Sequence, residues 1–203
     1  MADSQKGPVQ GRTMWKRFGI FMVPAVVAVG GIVLGMANGA IAASFSVSGQ
    51  SFKVSADKLD GTGFKQFGGL DKTNSGQSIP VATATITDAT LANLCQSVSV
   101  PGLPVKVVLR IEAGGGSTPV TAHNLVIGAQ SLQGNATFTN IQIGRDGGEL
   151  SGNSALNGTF AQSADSVTIT GLKQVATSTS AGTFNLNGLN LRILTGDQAQ
   201  ECF

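Results

Sequence analysis

The chain contains no tyrosine, one tryptophan, one histidine and two cysteines, and only 12% of its 203 residues are charged. Each shortage excludes something. One His and two Cys cannot supply the four ligands of a closed zinc site, and two Cys cannot build a multi-disulfide scaffold. Low charge combined with 41% hydrophobic residues is the opposite of a disordered composition. The length suits one ordinary domain plus a targeting or membrane segment. What is abundant is glycine, at 28 residues, with 10 phenylalanines supplying most of the aromatic surface. This combination predicts a folded, strand-biased, envelope-type protein.

The net charge of +2 is unevenly placed. Lys6, Arg12, Lys16 and Arg17 outweigh Asp3 in residues 1–17, whereas residues 44–203 carry 9 Lys and Arg against 10 Asp and Glu. A neutral body without Tyr or Trp lacks both the phosphate-neutralising charge and the stacking platforms that nucleic-acid binding uses, so no nucleic-acid partner is expected.

From Phe18 to Phe52 there is no charged residue, and the apolar part of that run is residues 18–43. As a helix, these 26 residues reach roughly 39 Å, more than the ~30 Å of a hydrocarbon core. Trp15, Lys16 and Arg17 precede it as an interfacial indole and two cytoplasmic cations, which predicts an N-terminus inside and a C-terminal domain outside. The alternative is a cleaved secretory signal, because Ala40-Ile41-Ala42 before Ala43 fits the small-x-small rule; the run is, however, longer than the usual h-region. Gly31, Gly35 and Gly39 share one helical face, the spacing that permits close packing against another membrane helix, although glycine is common in such helices regardless.

After Ala43 the pattern changes to alternation interrupted by Gly, Asn, Ser and Pro, which is the signature of many short strands. Val105, Val107, Leu109 and Ile111 define one face of a half-buried strand, bounded by Pro101-Gly102, Pro104 and the Gly114–Gly116 run. Val167 and Ile169 alternate with Thr168 and Thr170 in another. Residues 137–143 are expected to pair, through Arg145-Asp146-Gly147-Gly148, with the segment after Glu149. Near the C-terminus the apolar parity shifts between Leu186 and Leu189, which requires a bulge or tight turn at Asn187-Gly188. Leu91, Leu94, Cys95 and Val98 recur at helical spacing behind Asp88, so residues 88–98 are the one helix expected outside the membrane segment. The expected fold is all-β, an antiparallel sandwich or an open curved β-roll, with one N-terminal transmembrane helix.

Two segments echo each other. Residues 55–67 align without gaps on residues 163–175, with seven of thirteen positions identical and three more apolar in both. Two copies do not make a solenoid, but they suit two halves of a pseudo-symmetric sheet. Cys95 and Cys202 both fall on the exterior side, so they are expected to form a disulfide worth about 4 to 5 kcal/mol in the chain-entropy account.

Catalytic patterns are scarce. No Gly-x-Ser-x-Gly elbow occurs, and His123 stands in a polar stretch before a strand with no motif around it. Gly114–Gly116 lacks a Walker lysine. Asp57 with Asp60, and Asp146 with Glu149, read as solvated turn acids rather than a glycosidase pair, since aromatic sugar platforms are missing. No catalytic, cofactor or metal residue is therefore expected. Eight of the ten Phe lie beyond the apolar run, including Phe45, Phe52, Phe64 and Phe67; most should be core, and a Phe-lined interior would suit an acyl chain.

Residues 12–18 (RTMWKRF), the apolar run and residues 44–69 (SFSVSGQSFKVSADKLDGTGFKQFGG) resemble an actinobacterial family of membrane-anchored envelope proteins of unknown function. Many of its members carry an automated cholesterol esterase label, and they are often encoded beside a small multi-pass membrane protein. The resemblance implies an actinobacterial cell surface and that membrane protein as a partner, and brings no catalytic residue with it. The arrangement of a single anchor before a strand-rich domain is also similar to the membrane-anchored β-rolls of lipid-export systems. Sequence and resemblance together predict a non-catalytic, membrane-tethered β domain that binds a protein or lipid partner. A lipid carrier or sensor, and a lipid or steryl ester hydrolase using His123, are the alternatives.

Overall fold

The computed structural model describes residues 49–73 and 75–203. The tail with Trp15, Lys16 and Arg17 and the apolar run with Gly31, Gly35 and Gly39 lie outside the described residues. Among those described, no helix is long and apolar enough to cross a membrane. The chain divides into two units, Met1–Ser44 and Phe45–Phe203, and the description below concerns the second.

Among the described residues nine strands form one antiparallel sheet: β1 (Phe52–Lys72), β2 (Ser78–Ala92), β3 (Leu94–Val100), β4 (Val107–Ala113), β5 (Val120–Thr139), β6 (Gln142–Asp146), β7 (Phe160–Ser180), β8 (Thr183–Asn185) and β9 (Asn190–Thr195). The only α-helix among the described residues is α1 (Gly147–Ser151). The expected antiparallel all-β class is what is found. Its particular form is a ring: β1 pairs with β2 and β7, and β5 also pairs with β2 and β7. One row of partners runs Phe52, Ala176, Ala129, Ala82 and Gly68, so a circuit of the ring returns to β1 far along the strand from where it began. Such stagger requires strands steeply inclined to the ring axis.

A ring of four strands has little interior room, and its composition fits that limit. Leu59, Phe64, Ile86, Leu91, Leu125, Val167, Ile169 and Leu172 fill it, interleaved with Ala56, Ala84, Ala89, Ala122, Ala129, Ala164 and Ala176. The strands exchange their inward face at several kinks, including Gly63 of β1 and Gly171 of β7 at φ 66° and 62°. Asn93, Asn124 and Asn140 each adopt a positive φ near 51°, a region that Asn tolerates better than most residues. Asn93 donates from Nδ2 to Asp57 at 2.6 Å, and Asn140 donates to Asp165 at 2.7 Å. At Asn93 and Asn124 two successive residues turn away from the core, so the buried residues change parity from Leu91 to Leu94 and from Ala122 to Leu125.

The kink at Asn93 corrects the helix expected at residues 88–98. Leu91 and Leu94 are both buried, yet they belong to β2 and β3, which pair with β1 in one continuous register from Lys58↔Ala92 to Lys53↔Ser97. The parity change imitates helical spacing. The hairpin turn expected at Arg145–Gly148 is also corrected, because Asp146 instead caps α1 through the Glu149 N–H at 3.1 Å and ties back residue 158 through the Gly158 N–H at 2.6 Å. The partner of β6 is therefore β7, which begins at Phe160. The parity shift at Asn187-Gly188 is absorbed by a tight turn, with Gly188 at φ 67° and Leu189 N–H donating to the Leu186 carbonyl.

The sequence echo has a structural counterpart. Its two copies lie in β1 and β7, which pair with each other, and the cross-strand pair Asp60↔Thr168 joins equivalent positions of the two copies. A pseudo-two-fold axis thus passes through that pair, where Thr168 Oγ1 donates to Asp60 at 2.7 Å. The same operation relates Asp57 to Asp165 and carries β2 and β3 onto β5 and β6, so Asn93 matches Asn140 and Ala89-Thr90-Leu91 matches Ala136-Thr137-Phe138.

Outside the ring, β3, β4 and β9 form a smaller sheet. One face is covered by the C-terminal segment. There Cys202 is disulfide-bonded to Cys95, its N–H donates to Ser97 Oγ at 3.0 Å, and Ala199, Ser97 and Val108 are buried. Lys53 bonds Glu201 and the Phe203 carbonyl, both at 2.9 Å, and the Phe203 ring lies below the ammonium groups of Lys53 and Lys173. The fully buried residue of β4 is Val108, on this side. Val107, Leu109 and Ile111, whose face the alternation predicts to be the core side, are only partly covered.

Candidate functional site

Where β7 leaves the ring, a cleft of about 410 Å³ opens between residues 177–181, Phe52 at the start of β1, Gln96 of β3, and Phe184 and Leu186 of the β8 region. Its walls are half aromatic and aliphatic, half hydroxyl. Beneath it lies a smaller recess of about 30 Å³, lined by Leu59, Leu91, Leu94, Leu125, Ile127 and Leu172, and sharing Gln96, Thr179 and Phe184 with the cleft above. The wall is fixed from behind. Asp71 accepts from Ser178 Oγ at 2.7 Å and from Thr177 Oγ1 at 2.5 Å. Gly128 makes this possible, since a Cβ there would stand 2.6 Å from Asp71 Oδ2 and 2.5 Å from Ser178 Oγ.

Gln174 lines the recess at 3% exposure. The pseudo-symmetry sets what it faces. Its counterpart Gln66 pairs across the strands with Gln162, which donates to it at 2.6 Å. The position equivalent to Gln162 opposite Gln174 is Val54. The break in symmetry therefore sets the Gln174 amide against an aliphatic side chain and an apolar recess rather than against a second amide. Sequence reading missed this, because the Lys-Gln dipeptides at 65–66 and 173–174 look alike and only the facing strand distinguishes them.

His123 is brought to Asp88 by the β2–β5 register, its Nδ1 bonded to the carboxylate. Both side chains are more than half exposed, and no hydroxyl reaches the ring among the described residues. The pair sits beside the kink at Asn124, one register step from it. It supplies an acid and a base without a nucleophile. The paired acids of the sequence are likewise used structurally. The Lys58 ammonium holds the Asp60 carboxyl below its usual range against partial desolvation, with Thr168 assisting. Asp57 receives Asn93. The Gly158 and Glu149 N–H groups lower Asp146. On the small sheet, desolvation pulls Glu112 upward, but Arg192 and Arg110 outweigh it and leave it lowered.

No three His, Cys, Asp or Glu side chains converge into a metal-binding group among the described residues. No curated protein and no solved structure matches this chain. Residues 48–203 match a family of unknown function, DUF6230, and the chain belongs to that family.

Proposed function

We propose that this protein is a non-catalytic, single-pass membrane-anchored envelope protein whose exterior β domain binds a lipid through the cleft at Phe52, Phe184 and Leu186. The observation that carries the reading is the open cleft walled by Phe52, Phe184 and Leu186, with the Gln174 amide set in the apolar recess beneath it, a lining that suits a hydrocarbon chain bearing an ester, amide or hydroxyl. The Cys95–Cys202 bond supports an oxidising compartment, hence a domain outside the cytoplasm with the basic tail inside. Cleavage after Ala42 would release the same domain. The small multi-pass membrane protein suggested by the family resemblance is the partner proposed for the anchor. Ester hydrolysis has less support, because the exposed His123–Asp88 pair lacks a hydroxyl partner.

The test is photo-crosslinking of the full chain in vesicles containing a phospholipid with a diazirine in its acyl chain. Labelled peptides should include those around Phe52, Gln174 and Thr179, and Leu186→Trp, which fills the cleft, should reduce that labelling several-fold. Labelling confined to residues 18–43 would overturn cleft binding.

A further inference from the structure

We propose that the exposed face of the β3–β4–β9 sheet, together with the loop joining β3 to β4, docks onto the surface of the bilayer to which the chain is tethered. The inference rests on the membrane-tethered reading above and adds to it an orientation and a second lipid-contacting surface.

The sheet is two-faced. Its covered side holds Ser97, Val108 and the disulfide-bonded C-terminal segment. On the other side the cross-strand partners are Val98, Leu109 and Ile193 in one row, and Gln96, Ile111 and Leu191 in the next. Leu191 is 54% exposed and Ile193 67%. The loop continues this apolar surface with Val100, Leu103 at 51% and Val105 at 54% exposure, and Lys106 follows as an exposed cation suited to lipid phosphate. Contiguous exposed apolar residues at a loop and its adjoining sheet mark an interaction surface rather than ordinary scatter.

The chain's own connectivity selects the bilayer as occupant. β3 runs antiparallel to β1, with Lys53 opposite Ser97, so the end of β3 and the Pro101–Val105 loop lie toward the point where β1 begins. The apolar run stops at Ala43, and only residues 44–51 separate it from Phe52. Fully extended, such a linker spans less than about 30 Å. A domain held that close to a hydrocarbon surface presents to it the end from which the tether emerges. Gln96 belongs both to this face and to the cleft lining, so docking brings the cleft mouth beside the lipid it is proposed to accept.

The sheet's other terminal strand supplies an internal control. Ile143 on β6 is also 67% exposed but lies at the opposite end of the strand order from β9. Full-length chain carrying Trp15→Phe, with a single tryptophan introduced as Leu103→Trp, Ile193→Trp or Ile143→Trp, is reconstituted into phosphatidylcholine–phosphatidylglycerol vesicles whose acyl chains are brominated near the headgroup. Leu103→Trp and Ile193→Trp should emit at shorter wavelength and be quenched at least threefold more than Ile143→Trp. Equal quenching at all three positions, or solvent-like emission at Leu103→Trp and Ile193→Trp, would overturn the docking proposal. Flotation of the same vesicles separates the two readings. A chain that fails to float removes the membrane tether itself, whereas a floating chain with unquenched tryptophans removes only the docked orientation. Substituting exposed side chains leaves the ring core untouched, so misfolding does not obscure the outcome.

Discussion

Gly61 shows how little space the ring allows a single residue. It faces inward on β1 opposite Val167, and a Cβ added there would stand 2.7 Å from Ile86 Cγ2 and 3.4 Å from Val167 Cγ1. Ile86 is itself buried and packed from several sides, so neither residue can retreat without moving a strand. Gly61→Ala should therefore cost about 1 to 3 kcal/mol of stability by overpacking, read as a lower urea midpoint at unchanged slope. Placing the same change in an Ile86→Ala chain should recover part of that cost, since the clash has been removed. If Gly61→Ala proves neutral in the native chain, the ring is wider than described. The pseudo-symmetric counterpart of Gly61 is Ile169, which makes the pair a small residue and a large one across the axis rather than two of equal size.

At the scale of elements, the kinks do the shaping. Asn93 and Asn140 each combine a left-handed backbone with a hydrogen bond to an equivalent Asp, at 2.6 and 2.7 Å. If the two clips are structural equivalents, Asn93→Ala and Asn140→Ala should destabilise by similar amounts, about 1 to 2 kcal/mol each, from the lost bond and the strained backbone. Asn→Gly at either site should cost less, because glycine keeps the conformation and forfeits only the bond. Thermal melts of the four variants provide the comparison, and a large asymmetry between the sites would argue against equivalence. The kinks also explain which elements could be read beforehand. Alternation at Val167–Thr170 was legible because it reports a straight stretch of β7, and the echo of residues 55–67 because its two copies, kinked alike at Gly63 and Gly171, lie in paired strands β1 and β7. Leu91, Leu94, Cys95 and Val98 pointed to a helix because a kinked strand changes its inward parity, and the amino-acid pattern does not distinguish that change from a 3.6-residue period. Asp146-Gly147 looked like a hairpin turn because the capping role of Asp146 depends on Gly158, twelve residues away. The cleft was less legible still: Phe52, Gln174 and Phe184 come together only after the ring closes, and the different surroundings of Gln174 and its twin Gln66 are set by the strand that faces each.

For the whole molecule, closure of the ring sets a hierarchy of stability. Residues 58–62 and 65–67 of β1 have partners in both β2 and β7, and residues 166–170 and 173–176 of β7 have partners in both β1 and β5. The terminal strands β6 and β9 are each paired on one side only. Opening either central strand breaks two ladders and exposes the shared core, so its amides should exchange only through global unfolding, while those of β9 should exchange through local opening. Native-state hydrogen exchange should accordingly find amides of β1 and β7 protected to the full unfolding free energy, and β9 less protected by at least tenfold. Reducing the Cys95–Cys202 bond frees the segment that covers Ser97 and Val108. That change should raise exchange throughout β3, β4 and β9 while leaving the local ordering within the ring intact. If reduction instead loosened β1 and β7 as much as β9, the small sheet would be an integral part of the core. If exchange stayed unchanged everywhere, the C-terminal segment would be held by packing alone. The expected result, a rigid ring with a separately stabilised apolar sheet at its side, keeps the cleft shaped while the neighbouring surface adapts, which is the behaviour that the proposed lipid binding requires.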